Sequence, residues 1–223
     1  MRKDSFGFGL LRKREVTLPS LRGALALAAT AVACAWMLLI RVQPFLAVNH
    51  PLGGEVLVVE GWIPDYALGE ALRTFRAGSY RLLIATGGPL PQGMAFSSYG
   101  THAQFAASAL KGMGLSEDSL VAVPSPDVGR DRTYEEGVSL KRWMAANGKS
   151  FPRMDLFSFS AHARRSRMLY RLALGKGVEV GVYAPPDWGY DPSRWWKTSD
   201  GFRRVTDEAI AYLYAKLLFR PKP

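Results

Sequence analysis

Five short runs of apolar and β-branched residues, each separated from the next by a stretch of helical spacing, confine most of this chain to one kind of fold. They are EVLVVEG from Glu55, RLLIATGG from Arg81, SLVAVPS from Ser119, MDLFSFS from Met154 and VEVGVYA from Val178. Runs of that length with no polar alternation suit strands buried on both faces. The spacing between them predicts helices over Asp65–Ala77, Thr101–Met113, Thr133–Ala146 and Ala163–Leu174, with a long amphipathic helix over Ser199–Phe219 closing the chain. Strands alternating with helices predict an α/β fold, a parallel sheet carrying helices on both faces. In such sheets ligands bind outside the carboxyl ends of the strands. The loops to read are therefore EGWIPD, TGGPLPQG, PSPDVGRDRT, SFSAHARR and APPDWGYDPSRWW.

Ahead of this pattern, Gly23 to Ile40 contains no charged residue, close to the roughly 20 apolar residues that a helix needs to cross a bilayer. Arg2, Lys3, Arg12, Lys13, Arg14 and Arg22 precede it against only Asp4 and Glu15, which places the N-terminus in the cytoplasm and the rest of the chain outside. A cleaved export signal competes with this reading, since it too begins basic and continues apolar. No small-x-small site with polar flanks follows the run, however, and AWMLLI continues past the faintly lipoprotein-like AVAC. The expected organisation is a basic stretch over residues 1–22, a transmembrane helix over 23–42, a linker over 43–54 and an extracytoplasmic α/β domain over 55–223. Cys34, the one cysteine, lies inside the span, so no disulfide or cysteine metal site is expected in the domain. The net charge of +10 suits an anionic membrane surface and gives no ground for nucleic-acid binding.

Each loop has a structural reading beside a chemical one. Gly87 and Gly88 in TGGP end a strand, and their amides could approach a phosphate closely. Thr133 and Glu136 fit a capping box at the start of a helix, and Arg132 beside that start would strengthen its pull on an anion. His162 follows Ser158 and Ser160 at a strand end, where a histidine can move protons near neutral pH. Arg164, Arg165 and Arg167 come next, and spacing by three places Arg165 on the face of His162 while Arg164 projects elsewhere. Glu60 and Asp65 offer a carboxylate pair for base work, although Asp65 also suits a helix start. His102 lies at another helix start, with nothing in its neighbours to single it out. Trp188, Tyr190, Trp195 and Trp196 suit a lid, a membrane belt or packing under the last helix.

Taken in order, LVVEGW, LLIATGG, RTYEEG and the His-x-x-Arg of His162 and Arg165 resemble the ElyC/SanA/YdcF family of bacterial envelope-associated proteins, over about Glu55 to Tyr183. The resemblance implies a three-layer Rossmann-like fold behind a single membrane helix. It also implies a role in cell-envelope biogenesis, in peptidoglycan or lipid-carrier metabolism. On their own chemistry His162 and Glu60 are the catalytic candidates, and both lie within these motifs. Gly61, Thr86, Gly87, Gly88, Arg132, Thr133, Glu136 and Arg165 become the ligand- and anion-binding candidates, and no metal is expected. Glu136 stands where the family often has asparagine, and the residues before His162 are not its usual Thr-Ser pair. The expected partner is an anionic small molecule or lipid-linked envelope precursor, with hydrolase or transferase chemistry as the enzymatic form and other envelope proteins as further partners. An S-adenosylmethionine-binding module or an envelope scaffold is the alternative.

A reporter that is active only outside the cytoplasm, fused after Pro223, is expected to be active, with the full-length chain retained in the membrane. A shortened, soluble product would instead identify the apolar run as a cleaved signal.

Overall fold

The structure is a computed structural model that describes residues 17–91 and 98–221, together with the backbone of 5–6 and 11–12, where Ser5–Phe6 pairs antiparallel with Leu11–Arg12. The basic residues Arg2, Lys3, Lys13 and Arg14, and the loop residues Gln92 and Gly93, lie outside the described residues. The chain divides into two compact units, Met1–Leu39 and Ile40–Pro223.

Helix α1 runs from Leu21 to Leu46 and is apolar enough to cross a membrane. Its 26 residues measure about 39 Å at 1.5 Å per residue. It continues past the boundary expected at residue 42, and its last turn explains why. Leu46 is fully buried, and the Phe45 ring meets Tyr212 edge-on at 5.4 Å while the Arg164 guanidinium sits 4.0 Å above its centroid. Tertiary contacts therefore hold in helix a segment that reads as linker.

The predicted α/β architecture is present. Strands β1 (Val56–Glu60), β2 (Leu82–Gly87), β3 (Leu120–Pro124), β4 (Arg153–Phe157) and β5 (Glu179–Tyr183) form one parallel sheet in the order β3-β2-β1-β4-β5. Helices α2 (Asp65–Ala77), α3 (His102–Gly112), α4 (Arg132–Ala146), α5 (Ala163–Leu174) and α6 (Ser199–Leu217) follow the strands. Every residue of β1 is buried, as its unbroken apolar run requires. Its alternate side chains feed two cores. Leu57 and Val59 pack with Leu68, Leu72 and Leu110 of α2 and α3. Val56 and Val58 pack with Leu140 of α4 and with Tyr170 and Leu174 of α5. The result is three layers, Rossmann-like, with the strand order reversing between β1 and β4.

Asp155 of β4 fixes the entry to the sheet. Wholly buried, its carboxylate accepts from the Leu52 amide at 2.7 Å, the Gly53 amide at 2.8 Å and the Gly54 amide at 3.3 Å, and from the Tyr80 hydroxyl at 2.7 Å. The neighbouring strand makes room for it, since a Cβ on Gly181 would lie 1.9 Å from its Oδ1. Just beyond this clamp, His50 and Val182 exchange backbone hydrogen bonds of 2.7 and 3.0 Å, which covers the edge of β5.

Replacing Asp155 by alanine leaves those donors without their acceptor. A loss of about 3 kcal/mol is expected, or a melting temperature lower by about 6–12 °C for a chain of this size, read by thermal denaturation of the detergent-solubilised chain. A shift below about 2 °C would mean that water replaces the carboxylate.

Candidate functional site

Glu60 ends the central strand with no exposed surface. A buried carboxylate is costly unless hydrogen-bonded, and two serines meet the demand. Ser158, just past β4, donates to Oε2, and Ser166, in the first turn of α5, donates to Oε1 at 2.7 Å. The chain between them turns through Ser160, whose φ of 44° lies in the left-handed region that non-glycine residues rarely enter. The Ser160 hydroxyl shares a 3.0 Å hydrogen bond with Tyr190. That turn brings His162 to the mouth of the switch point, its Nε2 3.7 Å from Glu60 Oε1.

On its other side the ring is held from α6. Glu208 Oε1 lies 2.7 Å from His162 Nδ1, and the same carboxylate takes two hydrogen bonds from the Arg165 guanidinium, each of 2.9 Å. Arg165 Nη2 stands 2.9 Å from His162 Nδ1. Burial by itself raises Glu208, but the hydrogen bonds and charges of His162 and Arg165 outweigh it and hold the carboxyl at about 2. An ionised Glu208 accepts a hydrogen bond from Nδ1–H, and in that tautomer the neutral form of the ring carries its lone pair on Nε2. This nitrogen is buried and has no hydrogen-bond partner. Trp62 meets the ring edge-on at 4.8 Å, and a cavity of about 230 Å³ opens beside it, lined by Phe159, Ser160, Tyr190, Arg204 and Glu208.

Behind Glu60 a second buried chain of polar groups crosses the sheet. Thr86 at the end of β2 shares a 2.7 Å hydrogen bond with the Tyr170 hydroxyl, which lies 3.3 Å from Glu136 Oε2 and can donate to it. Burial, reinforced by the charge of Glu60, pushes the Glu136 carboxyl up to about 8. It is therefore a proton-holding group in the core rather than a capping residue. The predicted capping box does not form: Asp131 precedes α4 with φ 57° and no side-chain cap bond, while Thr133 is buried. The capping box among these helices belongs to Thr101 and Gln104 at the start of α3.

The sequence candidates thus separate. His162, Arg165 and Glu60 come together, with Thr86 and Glu136 joined behind them through Tyr170. Arg164 projects away from them, onto Phe45, as the helical spacing predicts. Arg165 is not open to a ligand anion, because its fork is filled by Glu208. Arg132 is exposed and acts on Glu136 and His102 through its charge. Gly61 and Gly87 are explained by packing, since a Cβ would meet the His102 carbonyl at 2.5 Å or the His102 Cβ at 2.6 Å. Gly88 lies beside Ser125 and its carbonyl accepts from the His102 amide at 2.8 Å. Asp65 is exposed at the first position of α2 and shares no hydrogen bond with Glu60. Of the aromatic group, Trp195 is buried against Trp196 and Phe202, whereas Trp188 is exposed and stacks on Tyr66 at 3.9 Å. Glu208, Ser166 and Tyr170 escape a reading of the loops, because they lie within helices and their partners are distant in sequence, whereas Tyr190, read as part of the aromatic group, meets the Ser160 hydroxyl. Among the described residues no group of three or more His, Cys, Asp or Glu is placed to hold a metal ion.

No protein-family model matches this chain, and no curated protein matches it.

The Glu136 carboxyl supplies a pH test. It keeps its proton in the folded chain up to about 8 but loses it near 4.5 when unfolded, so the folded state binds more protons between those values and stability falls as pH rises through them. Glu136→Gln keeps an acceptor for Tyr170 and cannot ionise. Its melting temperature is expected to overtake that of the parent chain between about pH 5 and about pH 8. Parallel curves would show that Glu136 is ionised in both states.

Proposed function

We propose that the chain is a membrane-anchored protein of cell-envelope biogenesis that acts on a phosphorylated or lipid-linked precursor, of peptidoglycan or lipid-carrier metabolism. The observation that carries this reading is the buried, unpartnered Nε2 of His162 beside a cavity at the switch point of the sheet. Glu208 orients the ring, so Nε2 can take a proton from water or a substrate hydroxyl as that oxygen bonds to the phosphorus, and can return it to the leaving oxygen as the original P–O bond breaks. Attack by water is hydrolase chemistry, and attack by a hydroxyl is transferase chemistry. Arg204 lines the cavity with Asp187 and Asp207, and its charge is taken up by Asp187 at 2.6 Å. The motifs shared with the ElyC/SanA/YdcF family support an envelope role, and the apolar α1 supports the anchor. The basic residues ahead of α1 support an extracytoplasmic domain.

A second reading has an observation of its own. Glu208 fills the fork of Arg165, which suits a module that binds a nucleotide-like ligand such as S-adenosylmethionine, or another envelope protein, without turning it over.

The two readings part in a turnover screen of the full chain against sugar phosphates and polyprenyl-phosphate-linked sugars. One class is expected to be consumed, and His162→Gln to slow it by about 100-fold or more while the melting temperature stays near that of the parent. Consumption unchanged in His162→Gln, or binding with no consumption across the panel, would overturn the catalytic reading.

A further inference from the structure

A second cavity, of about 1100 Å³, shares no residue with the His162 pocket. It lies between α5 and the distal half of α6, and Val48, His50 and Leu52 form part of its wall. Six cations line it: Arg164, Arg167, Arg171, Lys176, Lys216 and Arg220. The single carboxylate there, Glu179, is already paired with Arg153 at 3.0 Å. Among the described residues none of the six cations is in an ion pair.

Helical spacing explains the concentration of charge. Positions 164, 167 and 171 fall on one face of α5, and burial together with the charges of Arg171 and Arg164 lowers the pKa of Arg167. Cations gathered without internal counterions attract an anion from outside. The surface between them is apolar, provided by Met168, Leu172, Val178 and Phe219. A phosphate flanked by hydrocarbon fits both properties, whereas a free polar anion would leave the apolar wall unused. In the chain, Val48 of this wall follows Leu46, the last residue of α1, by two positions.

We propose that this groove holds an anionic phospholipid of the bilayer in which α1 is inserted, with the phosphate among the arginines and lysines and an acyl chain along the apolar wall. The identity of the lipid source rests on reading α1 as an anchor. Groove occupancy can be measured without it.

The test uses the full chain in a neutral maltoside detergent, titrated with short-chain phosphatidylglycerol, short-chain phosphatidylcholine or inorganic phosphate, and followed by thermal melting. Phosphatidylglycerol is expected to raise the melting temperature saturably, and the other two to leave it in place. Arg171 and Lys216 are exposed and make no ion pair, so the R171E/K216E variant should fold. It should need about tenfold or more lipid for half-saturation, at about 1 kcal/mol for each charge near an anionic surface. Should the reversal impair folding, R171Q/K216Q gives the same reading with a smaller shift. Equal stabilisation by phosphatidylcholine, an equal effect of inorganic phosphate, or an undiminished response in both variants would overturn the proposal. Loss of α1 to cleavage would appear separately, as a shortened chain outside the membrane.

Discussion

A carboxylate with no solvent at the end of the central strand imposes its needs on everything around it. Glu60 is accommodated because Ser158 and Ser166 bring hydroxyls from opposite sides of the β4–α5 turn. Both contacts cross the point where strand order reverses, so one charged group ties β1 to β4 and to the first turn of α5. The turn between the two serines then has little freedom. It passes through the left-handed conformation at Ser160 and delivers His162 within 3.7 Å of the same carboxylate. The place of the histidine is thus a consequence of satisfying Glu60.

The surroundings of Glu208 and Glu136 separate their chemistry. Glu208 lies against an arginine fork and a histidine, which hold it at about 2. Glu136 is buried in the core beside a second carboxylate, and burial and then the Glu60 charge push it up to about 8 against the lowering effect of the Tyr170 hydrogen bond. A site that keeps one carboxyl ionised and another protonated at neutral pH has separated an orienting charge from a stored proton. His162 is linked to the first through Nδ1 and lies near Glu60, on the way to the second, through Nε2.

Local pattern carried most of the fold. The bounds of Asp65–Ala77 and Ala163–Leu174 follow from apolar spacing and punctuation, and the structure has both helices over those residues. Local pattern also placed His162 and Arg165 on one face. It failed where a residue answers to something far away. Thr133 and Glu136 have the spacing of a capping box, yet the demand for a partner opposite Tyr170 in the core takes Glu136 away from the helix end. Gly61 and Gly87 look like phosphate-loop glycines, and the close approach of α3 is the reason for them. Glu208 lies 46 positions from His162 in a helix whose own sequence gives no sign of a buried acid.

Helix α5 joins the two functional faces. Residues 166 and 170 point into the core, where the serine holds Glu60 and the tyrosine bridges Thr86 and Glu136. Residues 164, 167 and 171 point the other way and make the cationic wall of the groove. Positions separated by three and four share a face, so a run that mixes one serine and one tyrosine with four arginines is sorted by helical geometry. The arginines clustered after His162 are therefore not one basic patch. Arg165 is drawn inward to Glu208, and Arg164 and Arg167 line the groove on the opposite surface. Any shift of α5 along its axis would move both faces together, and the hydroxyls on Glu60 oppose that shift.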